Sequence, residues 1–205
     1  MTSLSVIGAG KFAVEVSGYL GDAFQIERFV ALPAEPVHAP ADRCLALDDF
    51  RPSAGTRVVL AVSDVAVRRR LIDGFIEKHG LVAENIVHPS ARIDARQIGG
   101  AGNIIGPDCY FGANVLLGGY NVVNYHCSVG HHSRVGSNNF VAPNFHCGNS
   151  VTIGDNNMFG LSCTVAPEVT IGDDSRFQAG ITLFEDAPSG RSYLTPNRVK
   201  SIPSL

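Results

Sequence analysis

The sequence predicts a small parallel α/β unit over residues 1–86, followed by a parallel β-helix of six-residue repeats over residues 87–205. Two observations lead there. From Ile105 to Leu183 every sixth residue is apolar or cysteine without a break: Ile105, Phe111, Leu117, Val123, Val129, Val135, Val141, Cys147, Ile153, Phe159, Val165, Ile171, Phe177 and Leu183. The residue after each is usually glycine, as at Gly106, Gly112, Gly130 and Gly154. Upstream of this series, apolar runs alternate with stretches of helical periodicity.

A period of six matches neither a helix, whose apolar face recurs at three and four, nor an alternating strand. It matches a coil of short strands in which the apolar residue points inward, the next residue turns the corner without a side-chain penalty, and three hexads close a triangular turn. The fourth position after each apolar residue is mostly small or apolar and also points inward. Cys109, Cys127 and Cys163 fall there and Cys147 on the apolar position, so these four read as core thiols in a reducing compartment. Cys109 and Cys127, one turn apart, are expected as a thiol pair rather than a disulfide, and Cys44 has no assigned role.

The α/β elements follow in order. SLSVIGAG is a strand ending in a glycine turn, and KFAVEVSGYL carries helical spacing. ERFVAL is a second strand, followed by a Pro- and Ala-rich loop from Leu32 to Pro40. TRVVLAVS is a third, feeding a helix from Asp64 to about His79 with Val67, Leu71, Phe75 and Ile76 on one face. Such alternation makes a small parallel sheet covered by helices. LVAENIVHP hands the chain to the repeats; Val87 and Ile93 already sit in their frame, and Gly99 interrupts it with Ile98 displaced by one.

At 205 residues, 45% hydrophobic and a net charge of -3, the chain builds one or two domains and offers no charge excess for nucleic acid or an anionic membrane. No apolar run nears the roughly 18 residues of a spanning helix, and MTSLSVIGAG lacks the order of a signal peptide. A cytoplasmic protein without membrane insertion is expected.

Gly8-Ala9-Gly10-Lys11-Phe12-Ala13 is a GxGxxA turn, which brings backbone close to a phosphate at the start of a helix. A dinucleotide reading needs an acid near the end of the second strand, and none occurs before Glu35, so NAD is disfavoured. A purely structural turn is the bland alternative.

An α/β unit opening with IGAG, the junction LAVSDVAVRRRL and the hexad series together resemble the left-handed β-helix sugar acyltransferases of the sialic acid O-acetyltransferase and bacillosamine-pathway N-acetyltransferase group, over almost the full length. The resemblance implies a Rossmann-like first domain that binds a nucleotide-linked sugar through Gly8, Gly10, Lys11 and Asp64. It also implies a left-handed β-helix that binds acetyl-CoA between the subunits of a homotrimer. The chain departs from the group after the second strand, where Leu32-Pro33-Ala34-Glu35 replaces the usual acidic residues.

The polar signal on the repeats is NYHCSVGHHSRVGSNNFVAPNFHCGNS, whose His126, His131, His132 and His146 all fall on outward positions. Aligned on the group's motif, His131 matches the catalytic histidine, His132 replaces its acidic neighbour, and Phe140 replaces a second histidine on the CoA side. Asn149 stands where the group has a glycine whose N–H faces the thioester carbonyl. His126 is assigned to the substrate side, and Arg176, with Arg191, Arg198 or Lys200, to the CoA phosphates. Asn124, Asn149 or a residue of an adjacent subunit is left to orient His131.

The implied reaction is acetyl transfer to the amino group of a nucleotide-linked amino sugar. A neutral imidazole, with an ordinary pKa of about 6.5, takes the proton, and a backbone N–H holds the oxyanion. No metal is called for. The alternatives are acetylation of a sugar hydroxyl and a non-catalytic sugar-nucleotide-binding protein. A zinc enzyme with histidines five apart is disfavoured, because the next position of that frame is Gly136.

Overall fold

In the computed structural model, residues 2–196 are described. The first part is one five-stranded parallel sheet of β1 (Thr2–Ile7), β2 (Phe24–Ala31), β3 (Cys44–Ala46), β4 (Arg57–Leu60) and β5 (Val82–Ala83), in the order β3-β2-β1-β4-β5. Side chains alternate across it as a strand requires: Leu4, Val6 and Val59 pack on one face, Ile7, Val58 and Leu60 on the other. Helix α1 (Lys11–Ser17) buries Ala13 and Val16 on the first face. Helix α2 (Val65–Leu71) packs on the second and continues as a wider π turn through Glu77. Asp64 caps α2, its Oδ1 accepting from the Val67 N–H at 2.8 Å. The edge strand β3 escapes sequence reading because it is three residues long.

The chain then changes sheets. Ile86–Val87 pairs with Ile104–Ile105, and from there two-residue strands stack into three all-parallel sheets of seven, five and four strands. Strands pair eighteen residues apart, Val122 with Phe140, Ser128 with His146 and Arg134 with Thr152, until the last pair, where Arg176 meets Ser192. This is a parallel β-helix with three strands per coil, and its inward positions form one continuous core from Ile105 to Ala187.

The corners correct one expectation from sequence. The glycine after each inward residue does not make the turn. The residue two places later does: Asp108, Asn114, Tyr120, His126, His132, Asn138, Asn144, Ser150, Asn156, Ser162, Glu168 and Asp174, six apart, all have φ between 54° and 66°. Asn and Asp tolerate that left-handed region best after glycine, and six of these twelve positions carry one of them. The glycines answer to coil spacing instead. A Cβ on Gly112 would lie 2.6 Å from the His131 nitrogen, and one on Gly130 2.3 Å from the Gly148 carbonyl carbon.

Polar groups inside the coil are spent on stacking. Asn103, Asn121, Asn139 and Asn157 are each fully buried eighteen residues apart; each Oδ1 accepts the N–H of the next member, ending at Ser175. Their amide nitrogens are satisfied too, Asn139 Nδ2 donating to Gly154 O at 2.9 Å. The far end is closed by stacked rings: Phe159 on Phe177 at 4.6 Å, Phe177 on Tyr193 at 4.7 Å.

The α/β unit sits on the seven-stranded sheet. Phe12 meets Phe140 edge to face at 6.1 Å, and Ile86, Ile104 and Val122 share a core with Leu4 and Val6. Arg68 of α2 is fully buried at this seam and, among the described residues, meets no carboxylate. Its Nε donates to Asn138 Oδ1 at 2.9 Å, and its other nitrogens to the carbonyls of Leu60, Val62 and Tyr120. Burial pulls its pKa down to about 9, so it remains a cation at neutral pH, solvated by carbonyls.

Candidate active site

A three-sided coil has three columns of corners, and these separate the histidines that the sequence groups together. His131 and His132 lie in the column between the five- and four-stranded sheets, between Ser128–Val129 and Arg134–Val135. His126 is at another column, its ring edge-on to Tyr125 at 5.7 Å. His146 is on a flat face, where its Nδ1 meets Ser128 Oγ at 2.8 Å.

In the first column the rings of His131 and His132 stand perpendicular, with their Nδ1 atoms 2.9 Å apart. His132 Nε2 lies 3.0 Å from the side-chain amide of Asn114, one coil earlier. Asn149 is stacked one coil later, where the Ser150 N–H donates to His131 O at 2.9 Å. The Asn149 carbonyl accepts from Glu168, and among the described residues neither its N–H nor that of His131 has an acceptor. Two imidazoles and two backbone N–H groups without an acceptor among the described residues therefore share one exposed corner. Asn124, a sequence candidate for orienting His131, is buried at another corner with its amide on Val141 O at 2.8 Å; the side chain that meets His131 Nδ1 is that of His132.

The α/β unit holds a cavity of about 880 Å³, lined among others by Gly10, Lys11, Glu35, Asp64 and Arg70. Here the structure corrects the phosphate reading of the glycine turn. The Glu35 carboxylate accepts from the N–H groups of Ala9 (3.0 Å), Gly10 (2.9 Å) and Leu32 (3.0 Å), so the donors a phosphate would use hold an internal anion. Gly8 is required by geometry: its φ is +115°, and a Cβ there would lie 2.5 Å from Ala61 O. Lys11, Asp64 and Arg70 remain as polar groups facing the cavity, Asp64 with one oxygen committed to its cap.

Phe140 and Arg176 both sit on the seven-stranded sheet. Phe140 is half-buried against Phe12 of the same chain. Arg176 lines a cavity of about 280 Å³ in the seam with Arg69, Arg70 and Asp174. Arg191 is exposed near the end of the coil; Arg198 and Lys200 lie outside the described residues. The corner of His131 is opposite the side of the triangle that carries the α/β unit, so one chain does not bring its own cavity to its own His131. Among the described residues no group of three or more His, Cys, Asp or Glu could hold a metal ion, and no helix is long and apolar enough to cross a membrane.

Sequence reasoning missed Glu35, Asn114 and Arg68 as working residues. Asn114 had a usable signal, since it is His132 minus one coil.

The chain matches no protein-family model, and no curated protein matches it. Solved structures do share its fold. The acetyltransferase domain of PglB from Neisseria gonorrhoeae FA1090, in complex with acetyl coenzyme A, is similar with a TM-score of 0.77 and 20% identity, covering 93% of this chain and 94% of that one. A His-to-Asn mutant of perosamine N-acetyltransferase from Caulobacter crescentus, in complex with CoA and GDP-perosamine, gives 0.77 and 22%, covering 98% of both chains. WeeI from Acinetobacter baumannii AYE gives 0.79 and 21%, covering 93% and 96%.

Proposed function

We propose that the chain is an acetyl-CoA-dependent N-acetyltransferase acting on the amino group of a nucleotide-linked amino sugar, with His131 as general base. The observation that carries this reading is the pairing of His131 with open backbone N–H groups at one exposed corner of the β-helix. Two of the similar structures bind the ligands this reaction needs, acetyl coenzyme A in one and CoA with GDP-perosamine in the other.

In this account the β-helix is left-handed and the α/β unit Rossmann-like, with strand order β3-β2-β1-β4-β5 matching the first five strands of a doubly wound 3-2-1-4-5-6 sheet. The boundary between the two falls near residue 86, where the chain leaves one sheet for the other. The sugar nucleotide occupies the cavity of Lys11, Asp64 and Arg70, with its phosphates toward Lys11 and Arg70 rather than in the turn held by Glu35. His131 takes the amine proton as the new N–C bond forms. The N–H of Asn149 donates to the oxyanion, which collapses by breaking the C–S bond, and His131 passes its proton to the departing thiolate.

Because cavity and base lie on opposite sides of one chain, the working unit is a ring in which one subunit's cavity faces a neighbour's His131. We read it as a cytoplasmic homotrimer, since a head-to-tail contact must close or polymerise. Mixing inactive His131→Ala subunits with subunits inactivated in the cavity (Asp64→Ala with Arg70→Ala) tests both points. Recovered thiol release from acetyl-CoA with a nucleotide-linked amino sugar is expected. A sedimenting monomer, or no recovery in demonstrably mixed oligomers, would overturn the shared site.

A further inference from the structure

Resting on the acetyltransferase reading of the same corner, we propose that Asn114 is a positioning residue which, acting through His132, selects the tautomer of His131 able to accept a proton. His131 and His132 face one another through Nδ1 atoms 2.9 Å apart. Each neutral ring carries one N–H and one lone pair, so a hydrogen bond here needs one proton between the two nitrogens. If His132 supplies it, the proton of His131 is on Nε2 and no lone pair points outward to receive another. If His131 supplies it, Nε2 of His131 is the open base, and the proton of His132 moves to its own Nε2.

The choice therefore passes to whatever meets His132 Nε2, and that is the Asn114 amide at 3.0 Å. A half-turn of this amide exchanges Nδ2, which faces His132 here, for Oδ1, and only the oxygen accepts from His132 Nε2–H. With Oδ1 inward the protons align as His131 Nδ1–H to His132 Nδ1, then His132 Nε2–H to Asn114 Oδ1, leaving His131 Nε2 free. The fold sets this contact. Asn114 and His132 are corner residues on successive coils, with φ of 61° and 62°, so their side chains stack directly. The relay carries no charge, unlike a carboxylate partner, and it orients the imidazole through tautomer selection alone.

A net hydrogen bond is worth about 1 kcal/mol, which corresponds to a several-fold bias in the tautomer ratio. Long-range ¹⁵N–¹H correlation spectra of the full chain, with kinetics alongside, test this. In the parent protein His131 is expected as the Nδ1–H tautomer. Asn114→Gly, which suits the left-handed corner, is expected to move His131 toward Nε2–H and to lower kcat about threefold to fivefold with KM for acetyl-CoA unchanged. Asn114→Asp, an acceptor only, is expected to restore the Nδ1–H tautomer and raise kcat above that of the glycine variant. An Nε2–H tautomer in the parent, or spectra and kcat untouched in Asn114→Gly, overturns the relay. Spectra that follow this pattern in a protein releasing no thiol with any nucleotide-linked amino sugar would uphold the relay and reject the acetyltransferase reading instead.

Discussion

Two corners of the same coil treat the same backbone group in opposite ways. At the corner beside the α/β unit, side chains from the next coil take up the exposed N–H groups. Gly119 donates to Ser137 Oγ (3.1 Å), Ser137 to Asp155 Oδ1 (2.7 Å), Asp155 to Asp173 Oδ1 (2.7 Å) and Asp173 to Ser189 Oγ (2.8 Å). At the corner of His131 the equivalent positions are Ala113, His131 and Asn149, and among the described residues no side chain reaches their N–H groups. The first corner is finished as a structure; the second keeps its donors for something from outside. The glycine turn of the α/β unit belongs with the first, because Glu35 has filled it.

The largest test of that contrast is the base. His131→Ala is expected to lower turnover by about 10²–10⁴-fold, with secondary structure and assembly intact because the ring is exposed. His126→Ala and His146→Ala, on other parts of the coil, are expected to cost far less. Steady-state thiol release decides; near-parental activity in His131→Ala would remove the assignment.

The open donor is tested next. Pro107, Pro143 and Pro167 already occupy positions equivalent to Asn149, so the coil accepts proline there. Asn149→Pro deletes the N–H while keeping the corner, and is expected to lower kcat by about 10²–10³-fold, the loss typical of one oxyanion donor. Asn149→Ala retains the N–H and is expected to stay within a few-fold of the parent. Equal kcat in the two variants would place the oxyanion elsewhere.

The smallest effects separate the two uses of glycine. Gly130→Ala puts a Cβ against backbone of the next coil and is expected to destabilise by about 1–3 kcal/mol, read from denaturant midpoints. Gly10→Ala meets only the end of the Glu35 side chain, at 2.9 Å, and is expected to change stability by about 0.5 kcal/mol or less. The larger Gly10→Val is expected to weaken nucleotide-sugar binding by calorimetry and to leave acetyl-CoA binding intact. Similar destabilisation in Gly130→Ala and Gly10→Ala would show that coil spacing does not explain the repeat glycines.

How much of this was legible follows from what each signal depends on. The hexads could be read because inward positions recur at fixed spacing, and Val129, Val135 and Cys147 are buried as that spacing requires. The corner geometry was misassigned because glycine reports both conformational freedom and close approach, and only coordinates separate the two at Gly112 or Gly130. His131 stood out by motif, but what orients it was left open, because the Asn114–His132 contact is made across successive coils and shows in sequence only as a spacing of eighteen. Glu35 was noticed as an acid too late for a ribose; that it folds back onto Ala9 and Gly10 depends on a loop path that no periodicity encodes. Arg68 lay in a run of three arginines and showed nothing in sequence of its burial.

The buried asparagine column has a consequence for how such a chain can change length. Each amide bridges to the next coil and closes only if its counterpart stands eighteen residues away. An insertion or deletion of one or two residues inside the stack breaks the column and turns inward side chains outward. Removal of one whole coil rejoins asparagine to asparagine and corner to corner. Variation in size is thereby quantised, and a shortened chain keeps its stacked rings at the far end of the coil.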